Sequence, residues 1–336
     1  MPRLPAERLV EAVRDAFAEA GAGASLVSDT RVHPKRYHVS SGQVSLSLWV
    51  YIWTVTHGGG TARPRDEYRI QLTGVTPPLA LNPDGATILM GYEPNLNCFA
   101  GFDLSKHTMF SRRSPSIQIN VNSLRSALRD GLAFARKGND EIAIAFRPDH
   151  ILSYAMHSEA LHFHGADVTV SDLLARVSTF APVQTSEIAQ LPAERQRIVT
   201  TLSRLSRDNA SRRKVIIAYD RKCAVTGLQL KLVDAAHILP VGAEGSSDDV
   251  SNGIALSPTY HRAYDQGLIY LSDNLEMRIN PTKERELVRL RLHGGLQDFK
   301  SSLGHQILLP PDRRQWPAAE YIAKANSFRG IRASGR

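Results

Sequence analysis

The residues with the most chemistry in them lie in one stretch of the last third of the chain. It reads Asp234-Ala-Ala-His237-Ile-Leu-Pro240, then Asn252-Gly253-Ile254, then His261-Arg262-Ala-Tyr-Asp265. Hydrolysis of a phosphodiester needs an activated water, neutralisation of the phosphorane's charge and help for the departing oxygen. A histidine near its natural pKa suits the first task. A divalent cation held by carboxylate and imidazole suits the other two. The types and order of these residues therefore point to phosphodiester cleavage.

The elements that must position them follow from the local pattern. The apolar run Leu232-Val233 and Ile238-Leu239 predicts a strand ending at Pro240, with Asp234 and His237 on opposite faces. A loop rich in Gly, Ser and Asp follows from Gly242 to Asp249. Asn252-Gly253 turns into a second short strand, Ile254 to Leu256. Pro258 opens a helix over residues 259–266. On that helix His261 and Asp265 are four apart and share a face, within reach of one cation. Ahead of this module, a helix from Ala193 toward Tyr219 carries Arg195, Arg197, Arg204, Arg207, Arg212, Arg213 and Lys214 against Glu194 and Asp208. It reads either as a solvated charged face or as a helix that tracks phosphates.

This pattern resembles the HNH nuclease superfamily with its ββα-metal core, in the branch found in predicted bacterial restriction endonucleases. The resemblance covers residues 212–275 and rests on Asp-Ala-Ala-His-Ile-x-Pro, Asn-Gly-Ile-x-Leu and His-x-x-x-Asp-x-Gly-Leu-Ile. It implies His237 as general base and Asn252 as the brace of the loop that positions that base. It implies His261 as a metal ligand, with Asp265 and Asp234 as further ligands of one Mg²⁺-class cation, Mn²⁺ or another divalent ion being the alternative. Arg262 or Arg221 would contact the scissile phosphate, and the products would carry 5′-phosphate and 3′-hydroxyl ends. The chain departs from the family in its cysteines. Only Cys223 of Lys222-Cys223-Ala-Val-Thr226-Gly227 remains where a zinc-binding pair often sits, and Ser257 stands where a later cysteine often stands. One thiolate cannot build a four-ligand site, so no structural zinc is expected and Cys223 reads as a small buried hydrophobe.

The first half is strand-rich. Leu4, Leu9, Val10, Val13 and Phe17 predict a helix closed by Gly21 and Gly23. Strands follow over 44–55, 68–72, 86–92, 97–103 and 115–120, then a helix from Ser123 to Arg136, a strand from Glu141 to Phe146 and a helical stretch after Pro148. Trp49, Tyr51 and Trp53 share parity, so they form either one packed core face or a nucleic-acid contact. The loop His57 to Asp66, with Arg63 and Arg65, and the pair Arg112-Arg113 are the cationic contact candidates.

The net charge of +8 leans toward an anionic partner, DNA or RNA among them, although many basic proteins bind no nucleic acid. Two cysteines far apart, Cys98 and Cys223, are no disulfide framework, and no apolar run approaches a membrane span. A cytoplasmic protein is expected. The fold class read from the pattern is α+β. Residues 1–165 form a recognition or sensor domain, 166–192 a connector, 193–310 a basic helix with the nuclease domain, and 311–336 a tail. The function expected is a metal-dependent DNA endonuclease of restriction or defence type, with recognition of modified bases as a further hypothesis. One site cuts one strand, so a homodimer is a further expectation. Two rivals remain open: a nonspecific nuclease effector triggered by a ligand or partner, and a DNA-binding regulator with a silent nuclease fold.

Overall fold

The computed structural model describes residues 3–41, 44–57, 64–110, 115–137, 141–178 and 183–331. Arg63, Arg112 and Arg113 lie outside these residues. Contacts divide the chain into two units, Met1–Asn209 and Ala210–Arg336.

The first unit runs α1 (Ala6–Glu19), β1 (Gly23–Leu26), β2 (Lys35–Ser41), β3 (Val44–Thr54), β4 (Thr56–His57), β5 (Glu67–Gln71), β6 (Ala86–Glu93), β7 (Cys98–Phe102) and β8 (Ser116–Asn120). It continues through α2 (Val121–Asp130), β9 (Leu132–Arg136), β10 (Ile142–Phe146), α3 (Ile151–Gly165), α4 (Val168–Ser178), α5 (Thr185–Ala189) and α6 (Ala193–Ala218), inside which the division falls. A seven-stranded sheet, in the order β1-β2-β3-β6-β7-β10-β9, is antiparallel except for the β3–β6 pair, and β4, β5 and β8 form a smaller sheet.

Period-two alternation along β3 explains how the large sheet is buried on two sides. Leu48, Val50 and Ile52 join one core with Val13, Phe17 and Tyr154, while Tyr51 and Trp53 join another with Ile70, Ile117 and Leu124. The aromatic stripe is thus resolved as packing for two of its three members. Tyr51 and Trp53 stack at 6.3 Å, and their polar tips are satisfied by the Ala80 and Thr73 carbonyls. Trp49 is half-buried beneath the Arg36 guanidinium, 4.4 Å from its ring centroid.

Three expectations are corrected. The helix expected over Ser123–Arg136 is α2 followed by β9. Gly131, at φ +80°, ends the helix, and Leu132–Arg136 pairs antiparallel with β10 from Ile142↔Arg136 to Phe146↔Leu132. The span 166–192 is more than a connector, because α4 buries Val170, Leu173, Leu174 and Val177 in the first unit's core. The alternation there is helical, but its polar residues, Thr169, Asp172 and Arg176, mask the stripe when it is read beside two prolines. The third correction concerns 311–336, which is no tail over its described part.

That segment belongs to the second unit. Its elements are β11 (Asp234–His237), β12 (Gly253–Leu256), α7 (Pro258–Asp265), β13 (Ile269–Leu271), β14 (Met277–Ile279), α8 (Pro281–Arg289), α9 (Leu296–Lys300) and α10 (Ala319–Phe328). Helix α10 buries Tyr321, Ile322 and Ala325 against a core of Ile238, Leu239, Ile254 and Tyr264. Strands β11 and β12 are antiparallel, with Asp234 opposite Leu256 and His237 opposite Gly253. Gly253 is required by proximity. A Cβ there would lie 2.3 Å from Val215 Cγ2 in the last turns of α6, so the strand seats directly on that helix. Cys223 is fully buried and free, as its small apolar character predicts. Burial pushes its thiol up, but hydrogen bonds from Thr226 and from the backbone of Ser257, Thr226 and Val225 outweigh it, and the net shift is downward.

Candidate active site

The ββα unit β11–β12–α7 gathers every residue of the expected centre. Asn252 is completely buried where a short turn feeds β12. Its Oδ1 accepts from the Leu239 amide at 2.8 Å. Its Nδ2 lies within donating distance of Leu239 O at 3.2 Å, Ser246 Oγ at 3.2 Å and Ser247 O at 2.9 Å. The Ile238 amide adds a bond to the Asn252 carbonyl at 2.8 Å. An amide side chain with both donor and acceptor is the residue type that can staple a strand end to the loop beyond it. Asn252 therefore holds the backbone on both sides of Pro240, immediately after His237.

His237 ends β11 with its side chain 29% exposed, and its Nε2 lies 3.5 Å from Asp248 Oδ1 in the loop that Asn252 pins. On the same strand Asp234 takes the opposite parity and faces α7. Its Oδ2 is 3.6 Å from His261 Nδ1, and its Oδ1 accepts from Arg212 Nη2 at 3.0 Å. His261 Nε2 in turn lies 3.4 Å from Asp265 Oδ2, the i,i+4 pair expected of this helix.

The electrostatics of this cluster are mutual. The close approach of the His261 imidazole is the main reason the Asp234 carboxyl is held below its ordinary value; burial opposes it and Arg212 reinforces it. The nearby Asp234 carboxylate likewise holds the His261 imidazole above its ordinary value, with burial opposing and Asp265 reinforcing. His261 thus sits between two carboxylates, one at each ring nitrogen.

That arrangement bears on what the cluster could hold. Among the described residues no three of His, Cys, Asp and Glu converge tightly enough to bind a metal ion by themselves. Asp234 Oδ2 and His261 Nδ1 are 3.6 Å apart. As a carboxylate and an imidazole side by side, the pair has the donor types that would hold a divalent cation, with further ligands needed to complete its shell. The two ring nitrogens face different carboxylates, so a cation at Nδ1 leaves Asp265 as the partner of the remaining N–H.

The expected cationic contacts divide in two. Arg213, Arg221, Arg262 and Arg65 are exposed. Arg212 is engaged by Asp234 with its side chain only 22% exposed, so in this geometry it neutralises the carboxylate and does not face solvent. Asp248, Ser246 and Ser247 were missed by sequence reasoning, which saw only a polar loop. The four-bond capacity of Asn252 was the available signal, since a buried amide there demands acceptors from the neighbouring loop.

With this geometry in hand, comparison with known families decides the class. Residues 223–272 match the family described as HNH endonuclease. The second unit carries an HNH endonuclease domain. The chain is accordingly a nuclease, a phosphodiester hydrolase, and such a domain implies a DNA substrate. HNH endonucleases generally use a divalent metal ion. Residues 46–155, within the first unit, match the family described as Methylase-associated X1. No curated protein matches the chain. Among solved structures, a modification-dependent TagI restriction endonuclease aligns over 91% of this chain and 92% of its own at 14% identity, with a TM-score of 0.27. Among the described residues no helix is long and apolar enough to cross a membrane.

Proposed function

We propose that this chain is a metal-dependent DNA endonuclease of restriction type in which the HNH endonuclease domain cuts and the first unit selects. The observation that carries the reading is the division of β11. His237 faces the Asn252-pinned loop, and Asp234 faces His261 on the other side of the same strand. A base and a cation site are thereby separated by one strand's pleat.

In this reading His237 takes the proton from the attacking water. Asn252 fixes the backbone that aims it. Asp234 and His261 would hold one cation of the Mg²⁺ class, with Asp265 bound to the far nitrogen of His261. When bound, that cation would supply Lewis-acid chemistry. Arg213, Arg221 and Arg262, exposed around this face, would neutralise backbone phosphates. Hydrolysis would leave 5′-phosphate and 3′-hydroxyl ends. One such centre cuts one strand, so a double-strand break needs a homodimer or two successive nicks.

The match of residues 46–155 to Methylase-associated X1 supports a selecting role for the first unit that is tied to base methylation. The deciding experiment incubates wild type and His237→Ala with methylated and unmethylated plasmids of one sequence, in Mg²⁺, Mn²⁺ or EDTA. Metal-dependent cutting by wild type alone, biased toward one plasmid, is the expected result. Equal cutting of both plasmids removes the modification dependence. Cutting by His237→Ala at the wild-type rate removes the base assignment.

A further inference from the structure

The loop that Asn252 holds does more than cover the strand end. It carries Asp248, whose Oδ1 is 3.5 Å from His237 Nε2. That nitrogen is itself buried and has no hydrogen-bond partner among the described residues. A buried ring nitrogen without a partner is costly unless something nearby completes it. The carboxylate beside it needs to close by less than 1 Å to reach a charge-assisted bond of about 2.8 Å.

The backbone around Asp248 is pinned from several sides. Ser211 Oγ donates to the Asp248 carbonyl at 3.2 Å. Asn252 Nδ2 holds Ser246 Oγ and the Ser247 carbonyl. Ser247 Oγ bonds Asp249 Oδ2 at 2.8 Å and lies 2.9 Å from the Tyr321 hydroxyl. A freely moving loop would not need this many ties. A loop that must present one carboxylate to one imidazole does.

We infer that Asp248 is a positioning residue for His237, the second half of an Asp–His pair that fixes the ring and leaves Nδ1 to face the attacking water. This rests on the assignment of His237 as base. As the water oxygen bonds to phosphorus, its proton passes to Nδ1. The phosphorus–3′-oxygen bond breaks with its electron pair on the oxygen, which takes up a proton from solvent. Asp248 does not touch the substrate. It holds the tautomer with the proton on Nε2 and stabilises the imidazolium that forms, as a carboxylate does for other catalytic histidines. Because Asp248 is 52% exposed, solvent screens it and its share is modest.

The test measures steady-state plasmid nicking in Mg²⁺ for wild type, Asp248→Asn, Asp248→Ala, Asp248→Glu and His237→Ala. For Asp248→Asn and Asp248→Ala, kcat should fall about 10- to 100-fold, short of the 10²–10⁴ that a general base is worth. KM, the Mg²⁺ concentration for half activity and the thermal midpoint should stay as in wild type. Asp248→Glu should recover part of the loss, which a merely structural side chain would not do. Wild-type kcat in Asp248→Asn and Asp248→Ala beside an inactive His237→Ala would overturn the pairing and leave the nuclease reading standing. A loss restored by raising Mg²⁺ would overturn it too, making Asp248 a cation ligand. Full activity in His237→Ala would sink the underlying base assignment.

Discussion

Replacing Asn252 with alanine removes four side-chain contacts from a site with no solvent access. Three main-chain groups lose their partner: the Leu239 amide, the Leu239 carbonyl and the Ser247 carbonyl. Leu239 O retains a bond from Ser246 Oγ at 3.1 Å, so its loss is partial. Leaving a buried polar group unsatisfied costs about 1–3 kcal/mol each, and relaxation with water entry at the half-exposed Ser247 softens the sum to about 3 kcal/mol. For a unit of this size that lowers the thermal midpoint by roughly 10 °C. The kinetic effect should be larger than the stability effect implies, because the freed backbone is the one leaving His237. A displacement of about 1 Å at the base is worth on the order of 10² in rate. The assay pairs plasmid nicking at 25 °C, where the variant is still folded, with a calorimetric scan of the same sample. A variant that melts lower yet keeps wild-type kcat would refute the claim that Asn252 aims the base. A variant that melts as wild type does would refute the hydrogen-bond network itself.

Other outcomes follow from the same geometry. Gly253→Ala should destabilise the second unit by about 2 kcal/mol or more through overpacking against Val215, and Val215→Ala in the same chain should restore part of the melting temperature. Restoration in a denaturation series would fail to appear if the strand were not seated on α6. Acid should weaken the first unit through His162, which burial pushes down to about 4 from 6.5. The unfolded chain then binds the extra proton between these values, so stability is full above pH 6.5 and falls toward pH 4, by about 3 kcal/mol in total. Urea midpoints that stay level from pH 6.5 to 4.5 would contradict this. Arg262→Ala and Arg221→Ala should each weaken DNA binding evenly across sequences and reduce the salt slope by about 1, with little change in kcat at saturating DNA. A sequence-selective loss in a binding titration would argue for base contact instead.

The centre was legible because its chemistry is local. Asp234, His237, His261 and Asp265 fall within one short strand and a helix, where side-chain direction follows from period alone, and Asn252 falls in the turn that feeds the second strand. The opposite facing of Asp234 and His237 could be read from the three-residue step between them. What could not be read was how carboxylates are shared. One cation reached by both His261 and Asp265 looks natural on a helical wheel, but the imidazole ring turns Nδ1 to Asp234 and Nε2 to Asp265. Arg212 was opaque for a similar reason: an arginine on a basic helix and an arginine neutralising a half-buried carboxylate have the same sequence. In the first unit, β9 hid behind α2 because Leu132-Ala-Phe-Ala-Arg136 carries no helix-breaking residue beyond Gly131, and only its pairing with β10 makes it a strand. Long-range contacts that cross many residues, such as those of α4 and α10, leave no local trace beyond an apolar stripe.

Helix α10 gives the cutting centre an order of assembly. The Ala318 amide bonds to the Ser251 carbonyl at 3.0 Å, and Tyr321 reaches Ser247, so the helix buttresses both flanks of the loop that carries Asp248. A ribosome synthesises His237, Asn252 and His261 well before it reaches Tyr321. While the chain is still being made, every reacting group is present but the wall behind them is not. On the proposed reading, support of that loop would be completed only with the last helix, and a chain stopped before Ala319 would carry the candidate residues without Tyr321 against Ser247.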